Sequence, residues 1–247
     1  MSRNSDRRGF LKSGLVATAA MVTAGSIMNP KSVLAQGSPG GQTQEKPTGA
    51  VSKEASASYE VPAVYFTKPG PSNTTKVLEC VRRRLEQLKV QAVLVASVSG
   101  QTALKAREVL KPETKIIAVS HVAGFKEPSS QEMPPEARQE LISKGVPVLT
   151  AQHALGGVGR GIRNKLKTYQ VDEIIAYTLR LFGQGTKVGV EIALMAADAG
   201  LVRTDQDVIT VAGTSKGADT ALVIRPANSS DFLTLVVKEI ICKPVAI

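Results

Sequence analysis

Short apolar runs alternate with longer helical patterns through most of this 247-residue chain, and this alternation is what most limits its fold. Ala92–Ala96 and Lys115–Val119 are strand-length runs, apolar enough to be buried on both faces of a sheet, and Val146–Leu149 is a further strand. Helical patterns separate them, and a helical connection between consecutive strands goes with parallel pairing. We therefore predict an α/β fold, a three-layer sandwich with a mostly parallel sheet, to which the last strands add an antiparallel edge.

The predicted domain covers residues 59–247, a length that suits one sizeable core. The first predicted helix has the apolar stripe of an amphipathic helix, and the last has an almost wholly apolar sequence typical of a buried helix. The predicted helices are Asn73–Leu88, Thr102–Leu110, Pro135–Lys144, Val171–Phe182 and Val188–Ala199. The remaining predicted strands are Pro62–Phe66, Val208–Ala212, Ala221–Ile224 and Leu233–Ile241.

Residues 1–35 have the organisation of an export signal. An arginine pair within Ser5–Lys12 precedes the apolar run Gly14–Met28 and the small-residue site Val33–Ala35. The pair resembles the twin-arginine signal that the Tat translocon reads, so we expect a periplasmic or extracytoplasmic protein cleaved after Ala35. An uncleaved membrane anchor is the alternative. The run of about fifteen residues is shorter than the roughly twenty of a spanning helix, so we expect no stable membrane insertion.

Composition limits the partners of the exported part. Residues 36–58 are small, polar and aperiodic, which predicts a flexible linker. The chain has 31 basic and 21 acidic residues, a net charge of +10, and only 4% aromatic residues. The basic residues are spread along the sequence, without the basic stripe or stacking aromatics of a nucleic-acid binder. We therefore expect a small anionic ligand and no nucleic acid.

The chain has two cysteines, Cys80 and Cys242, and two histidines, His121 and His153. An oxidising compartment would permit a bridge between the cysteines, but two buried free thiols are favoured. The histidines lack the spacing and cysteine partners of a metal site, so no bound metal is predicted.

Polar or glycine-rich segments follow four of the predicted strands. In open α/β sheets, ligands bind beyond the carboxyl ends of the strands, so these segments predict one shared pocket. Both histidines fall within them. The segments are Ser97–Ala103, Ser120–Phe125, His153–Gly161 and Gly213–Thr220.

The first segment has the residues of a phosphate-binding turn. Free amides at a helix start attract an anion, the hydroxyls of Ser97, Ser99 and Thr102 add donors, and Gly100 permits a close approach. The alternative is that these hydroxyls only cap the helix. We predict a flexible loop at Gly156–Gly161 that closes over the ligand.

The other segments supply groups for the rest of the ligand. Phe125 could stack on a flat heterocycle and Arg160 could contact an anion. The histidines either donate to the ligand or tie the loops together, and Asp219 with Thr220 either accepts from a heterocycle or caps its turn. The candidate set is Ser97, Ser99, Gly100, Gln101, Thr102, His121, Gly124, Phe125, His153, Gly157, Gly159, Arg160, Gly161, Gly213, Thr214, Gly217, Ala218 and Asp219.

These motifs resemble a known family. Val93–Ala103 followed by Lys115–Ser120 is similar to the C-terminal α/β domain of pyruvate kinase, in which the corresponding turn holds a phosphate of a sugar bisphosphate effector. A stand-alone family with that fold is a closer match. Its motifs appear here at Ala96–Ala103, Ser120–Phe125, His153–Gly161, Val190–Leu201 and Gly213–Ala221.

The resemblance implies a function that composition does not. Members of the stand-alone family are associated with flavin mononucleotide (FMN), which implies a flavoprotein and leaves open a flavin-dependent oxidoreductase. The alternative is a non-catalytic sensor or regulatory module for a phosphorylated metabolite. No pyruvate kinase activity is expected, because that catalysis belongs to a separate barrel domain. The expected partners are a small phosphorylated ligand and, during export, the Tat translocon; homo-oligomers are compatible with this reading.

Overall fold

The computed structural model describes residues 58–245. The predicted signal at 1–35 and the predicted linker, except its last residue, lie outside the described residues, and both stay predictions. Within 58–245, no helix combines the length and the apolar character needed to cross a bilayer.

The described chain alternates between strands and helices. The strands are β1 Val64–Phe66, β2 Val93–Ala96, β3 Ile116–Ser120, β4 Val148–Thr150, β5 Val208–Ala212, β6 Thr220–Arg225 and β7 Val236–Pro244. The α-helices are α1 Thr74–Leu85, α2 Gln101–Val109, α3 Pro135–Ser143, α4 Val158–Leu166, α5 Val171–Arg180 and α6 Gln184–Asp198. Short 3₁₀ turns at Pro71–Asn73 and Ser229–Thr234 precede α1 and β7.

The strands form one sheet in the order β1-β7-β6-β5-β2-β3-β4. Every pairing is parallel except the two made by β6, so the prediction of a mostly parallel sheet is confirmed. The prediction of an antiparallel edge is wrong in its detail. The antiparallel strand β6 is interior, and β1 forms the edge by pairing in parallel with β7, Val64 opposite Cys242.

Helices cover both faces of the sheet and make two separate cores. Strand β2 shows the alternation, because Val93 and Val95 pack in the core that contains residues of α1, α2 and α3. The intervening Leu94 packs in the other core, with residues of α5 and α6. Successive side chains of a strand point to opposite faces, so these two cores make the three-layer sandwich predicted from the sequence.

Helix α4 contradicts the loop predicted at Gly156–Gly161, because Gly159, Arg160 and Gly161 lie inside the helix. Two glycines disfavour a helix, but Gly159 has a packing role. A Cβ atom there would lie 2.3 Å from Oδ1 of Asp172 in α5. The glycine is therefore what lets α4 approach α5.

The two cysteines are free and buried, as favoured from the sequence. Burial raises the pKa of the Cys242 thiol to about 12, which keeps it protonated at neutral pH.

The start of α6 generates the first testable prediction. A Cβ atom at Gly185 would lie 2.1 Å from Oγ1 of Thr220, a hydroxyl that donates to Asp219 at 2.8 Å. We expect Gly185→Ala to lower the free energy of unfolding by about 1–3 kcal/mol through overpacking, measured by urea denaturation. Gly161→Ala is the control, because its Cβ would meet nothing within 4 Å and should stabilise α4 by up to about 1 kcal/mol. Equal stability of Gly185→Ala and the parent would contradict this packing.

Candidate functional site

The loops that follow β2, β3, β4 and β5 leave the same edge of the sheet. The Ser97 amide donates to the carbonyl of Val119 at 2.9 Å, so β2 and β3 end level with each other. Ser120 pairs with Thr150 of β4, and their hydroxyl oxygens are 2.7 Å apart. Strand β5 lies on the other side of β2, so Gly213 leaves the sheet at the same edge. The predicted convergence of these segments is therefore present.

Gly100 begins α2 in the left-handed region, with φ of +86°. A Cβ atom at this position would lie 3.0 Å from the Cβ of Ala137 in α3. Glycine is therefore required both by the backbone conformation and by the close packing of the turn against α3.

The predicted phosphate-binding hydroxyls differ in their surroundings. Ser97 is buried, and its Oγ accepts from the Ala103 amide at 3.3 Å, which is a capping contact. Thr102 is also buried, whereas Ser99 is exposed. The first amides of α2, at Gln101 and Thr102, have no acceptor within the helix because of helix geometry. Capping therefore accounts for Ser97, while the rest of the turn keeps donors for an anion.

Four of the predicted residues form one cluster. The ring of Phe125 stacks on the ring of His153, with centroids 5.1 Å apart, and its centroid lies 4.1 Å from that of His121. The guanidinium carbon of Arg160 lies 4.9 Å from the centre of the Phe125 ring. These side chains come from two of the predicted segments, Ser120–Phe125 and His153–Gly161, and the structure brings them into contact.

His121 is fixed by its neighbours. Its Nδ1 donates to Oε2 of Glu132 at 2.7 Å, and Oε1 of the same carboxylate lies 2.5 Å from Nζ of Lys126. Lys126, with a smaller contribution from His121, holds the pKa of Glu132 below its usual value. The side-chain Nε2 of Gln131 also donates to the His121 carbonyl at 2.8 Å. His121 therefore ties its loop together and keeps Nε2 for another contact.

His153 is 8% exposed, and burial lowers its pKa to about 4. The ring is therefore neutral at neutral pH. Its Nε2 accepts from the Val122 amide at 3.5 Å, which leaves the ring proton on Nδ1. His153 also connects two loops, so the loop-tying alternative describes the internal contacts of both histidines.

A buried ion pair supports the His153 loop, and the sequence predictions did not include it. Nζ of Lys187 lies 2.5 Å from Oε2 of Glu191, and both residues are 4% exposed in α6. The other carboxylate oxygen accepts from the Leu155 amide at 3.2 Å. Burial lowers the pKa of Lys187, and the neighbouring Glu191 partly restores it. The available sequence signal was a pair of opposite charges four residues apart in an apolar helix.

Asp219 is fully buried and engaged by its own turn. Its Oδ2 accepts from the amide of Gly70 at 2.9 Å and from the amide and hydroxyl of Thr214 at 3.1 and 2.7 Å. Its Oδ1 accepts from the Thr220 hydroxyl. These contacts favour the turn-capping alternative over a contact with a heterocycle.

The remaining part of that turn faces α1. Gly217 has φ of +68°, and a Cβ atom there would lie 2.7 Å from the Cα of Pro71. The Ala218 amide donates to the Thr74 hydroxyl at 2.9 Å. Gly217 and Ala218 therefore pack against Pro71 and Thr74, while Thr214 is exposed where the chain leaves β5.

The other candidate glycines shape the loops. Gly124 has φ of +80°, and its amide donates to the Ser130 carbonyl at 2.7 Å. A Cβ atom at Gly157 would lie 2.1 Å from Nε2 of Gln152. Gly161 is exposed on α4 with open space beside it. Within residues 58–245, no cluster of three or more His, Cys, Asp or Glu is placed to hold a metal.

The model of one protein family matches residues 75–224, and its description is pyruvate kinase, alpha/beta domain. The match begins in α1, ends in β6 and includes the four loops at the sheet edge. Because it covers more than half of the 247 residues, the chain belongs to this family. The family match therefore supports the predicted α/β fold independently of the sheet topology.

The buried pair generates a prediction about stability. Glu191→Ala leaves the Lys187 ammonium buried without a counter-charge, so we expect a loss of about 3–5 kcal/mol in the free energy of unfolding. Glu79→Ala is the control, because Glu79 pairs with Lys76 at 3.4 Å on the surface and should cost less than about 1 kcal/mol. Urea denaturation measures both. A loss in Glu191→Ala no larger than that in the control would contradict the supporting role of the pair.

His153 generates a prediction about pH. Between pH 7 and pH 5 the unfolded chain takes up a proton at this histidine and the folded chain does not, so stability falls as pH falls. The contribution of His153 to this loss is about 2 kcal/mol by pH 5. In His153→Gln the loss over that interval should be smaller by this amount, measured by urea denaturation at each pH. Identical pH dependence in the variant and the parent would contradict the neutral, buried state of His153.

Proposed function

We propose that this protein is exported and binds FMN at the sheet edge formed by the loops after β2, β3 and β4. The observation that carries the proposal is that a glycine turn with free helix amides follows β2, while the loops after the neighbouring strands β3 and β4 carry an aromatic cluster with Arg160 against it. FMN has a phosphate and a flat ring system, and these two features suit those two parts of the site.

The start of α2 fits the phosphate. Gly100 takes a left-handed conformation, and the following amides of Gln101 and Thr102 lie at the positive end of the helix. Ser99 is exposed in the same turn, so its hydroxyl is available as a further donor. Ser97 contributes by fixing the turn through its contact with Ala103.

The aromatic cluster fits the ring system. Phe125 and His121 are partly exposed aromatic rings with centroids 4.1 Å apart, buried His153 supports them from within, and Arg160 adds a positive charge beside Phe125. His153 is neutral and Lys187 is paired with Glu191, so Arg160 is the cation of the cluster that is available to an anionic ligand. Bound FMN would supply redox chemistry, and the residues of the chain would bind and orient it.

Export is the second part of the proposal, and its support is the arginine pair with the apolar run and small-residue site in residues 1–35. A protein folded around a cofactor before export is consistent with the twin-arginine route. A redox role outside the cytoplasm would follow from the two parts together.

A sensor of a phosphorylated metabolite is the second candidate function. It is favoured by the internal contacts of the titratable groups, because His121, His153 and Asp219 are each engaged by neighbouring residues. Such a site binds a phosphate without offering an evident acid or base.

The test compares FMN with riboflavin, which lacks the phosphate. We expect the protein to bind FMN at least tenfold more tightly, measured by titration of flavin fluorescence. Ser99→Asp places a negative charge on an exposed residue of the turn, so it should lower FMN affinity at least tenfold and leave riboflavin affinity unchanged. Ser230→Asp is the control. Ser230 is an exposed serine in the turn between β6 and β7, at the opposite end of the strands from the candidate site, so this variant should bind like the parent.

Two results would contradict the proposal. One is equal affinity of the parent for FMN and riboflavin, and the other is full FMN affinity in Ser99→Asp. Binding of a sugar phosphate without binding of FMN would favour the sensor instead.

A further inference from the structure

Helices α4 and α5 expose a large apolar surface, defined here as the α4–α5 face. Half of the large hydrophobic side chains exposed within residues 58–245 lie in the 25 residues from 158 to 182. All of them are at least half exposed, and Leu181 is 75% exposed. The α4–α5 face consists of Val158, Leu166, Tyr169, Val171, Ile174, Tyr177, Leu181 and Phe182.

The size of this face matches one side of a protein interface. These eight side chains together expose on the order of 800 Å², about what one partner contributes to a standard interface. Contiguous apolar patches on monomers are usually smaller than this and mark interaction sites.

The polar side chains on the face contact one another. Tyr169 and Tyr177 meet edge to face with centroids 5.5 Å apart, and Arg163 and Arg180 lie over their rings. Arg163 also donates to Glu173 at 2.7 Å. Tyrosine and arginine among aliphatic residues are the composition of the central part of protein interfaces.

The charges of the face favour a protein partner over an anionic bilayer. Arg163 is neutralised by Glu173, and Arg180 donates to Gln184 at 2.8 Å while it stacks on Tyr177. Arg180, Lys165 and Lys167 are therefore the cations of α4 and α5 near the face that the structure does not pair with a carboxylate. Recruitment to an anionic membrane normally needs four to eight such residues at about 1 kcal/mol each.

We propose that the α4–α5 face is the two-fold interface of a homodimer of this chain. The apolar side chains of the face need no complementary charge from a partner, and the face has fewer cations than recruitment to an anionic membrane needs, which suits a second copy of the chain. In a two-fold dimer the same face of both copies meets, so about 1,600 Å² would be buried, the size of a stable interface. Helix α4 also carries Arg160, so the interface would hold the helix that completes the candidate site.

The test changes one exposed leucine on the face and one outside it. Leu181→Lys introduces a charge into the α4–α5 face. Leu181 and Leu233 both lie outside the core, so Leu181→Lys and Leu233→Lys should fold like the parent. Leu233→Lys is the matched control, because Leu233 is 93% exposed and lies between β6 and β7. Analytical ultracentrifugation of the protein as isolated from cells gives the dissociation constant.

We expect the parent and Leu233→Lys to sediment as dimers at micromolar concentration. Leu181→Lys should raise the dissociation constant at least tenfold. A monomeric parent, or a dimer that Leu181→Lys leaves unchanged, would overturn the proposal. A monomeric parent that binds phosphatidylglycerol vesicles, with binding lost in Leu181→Lys, would assign the face to a bilayer instead.

Discussion

The close contact of α6 with the sheet is the constraint on which the site depends. Gly185 and Gly189 have no side chains where the helix crosses β6 and β5, and a Cβ atom at Gly189 would lie 2.7 Å from Oγ1 of Thr210. This approach brings Glu191 within hydrogen-bonding distance of the Leu155 amide. The packing of one helix therefore sets the position of the loop that carries His153.

The same packing determines the charge of the site. Lys187 and Glu191 neutralise each other where Glu191 holds the loop, and burial keeps His153 neutral beside them. The positive charge that remains at the edge comes from Arg160 and from the start of α2. An aromatic cluster near a turn with free helix amides is the arrangement that makes FMN a better candidate than a fully charged metabolite.

Local sequence patterns predicted the elements whose own residues determine them. The buried strands and the convergence of the loops followed from apolar runs and from parallel pairing. Features that depend on distant residues were not predictable. Gly159 lets α4 approach Asp172 of α5, β1 pairs with β7 near the other end of the described chain, and Asp219 accepts from the amide of Gly70 in addition to its own turn. The partners of β1 and of Asp219 are far away in the sequence.

The central claim is that the protein holds FMN at this edge of the sheet. The most direct measurement is the visible absorbance spectrum of the protein purified from cells without added ligand, followed by identification of any flavin released on denaturation. The account predicts a yellow protein that releases close to one FMN per chain. A colourless protein that also fails to take up FMN when it is supplied would contradict the account.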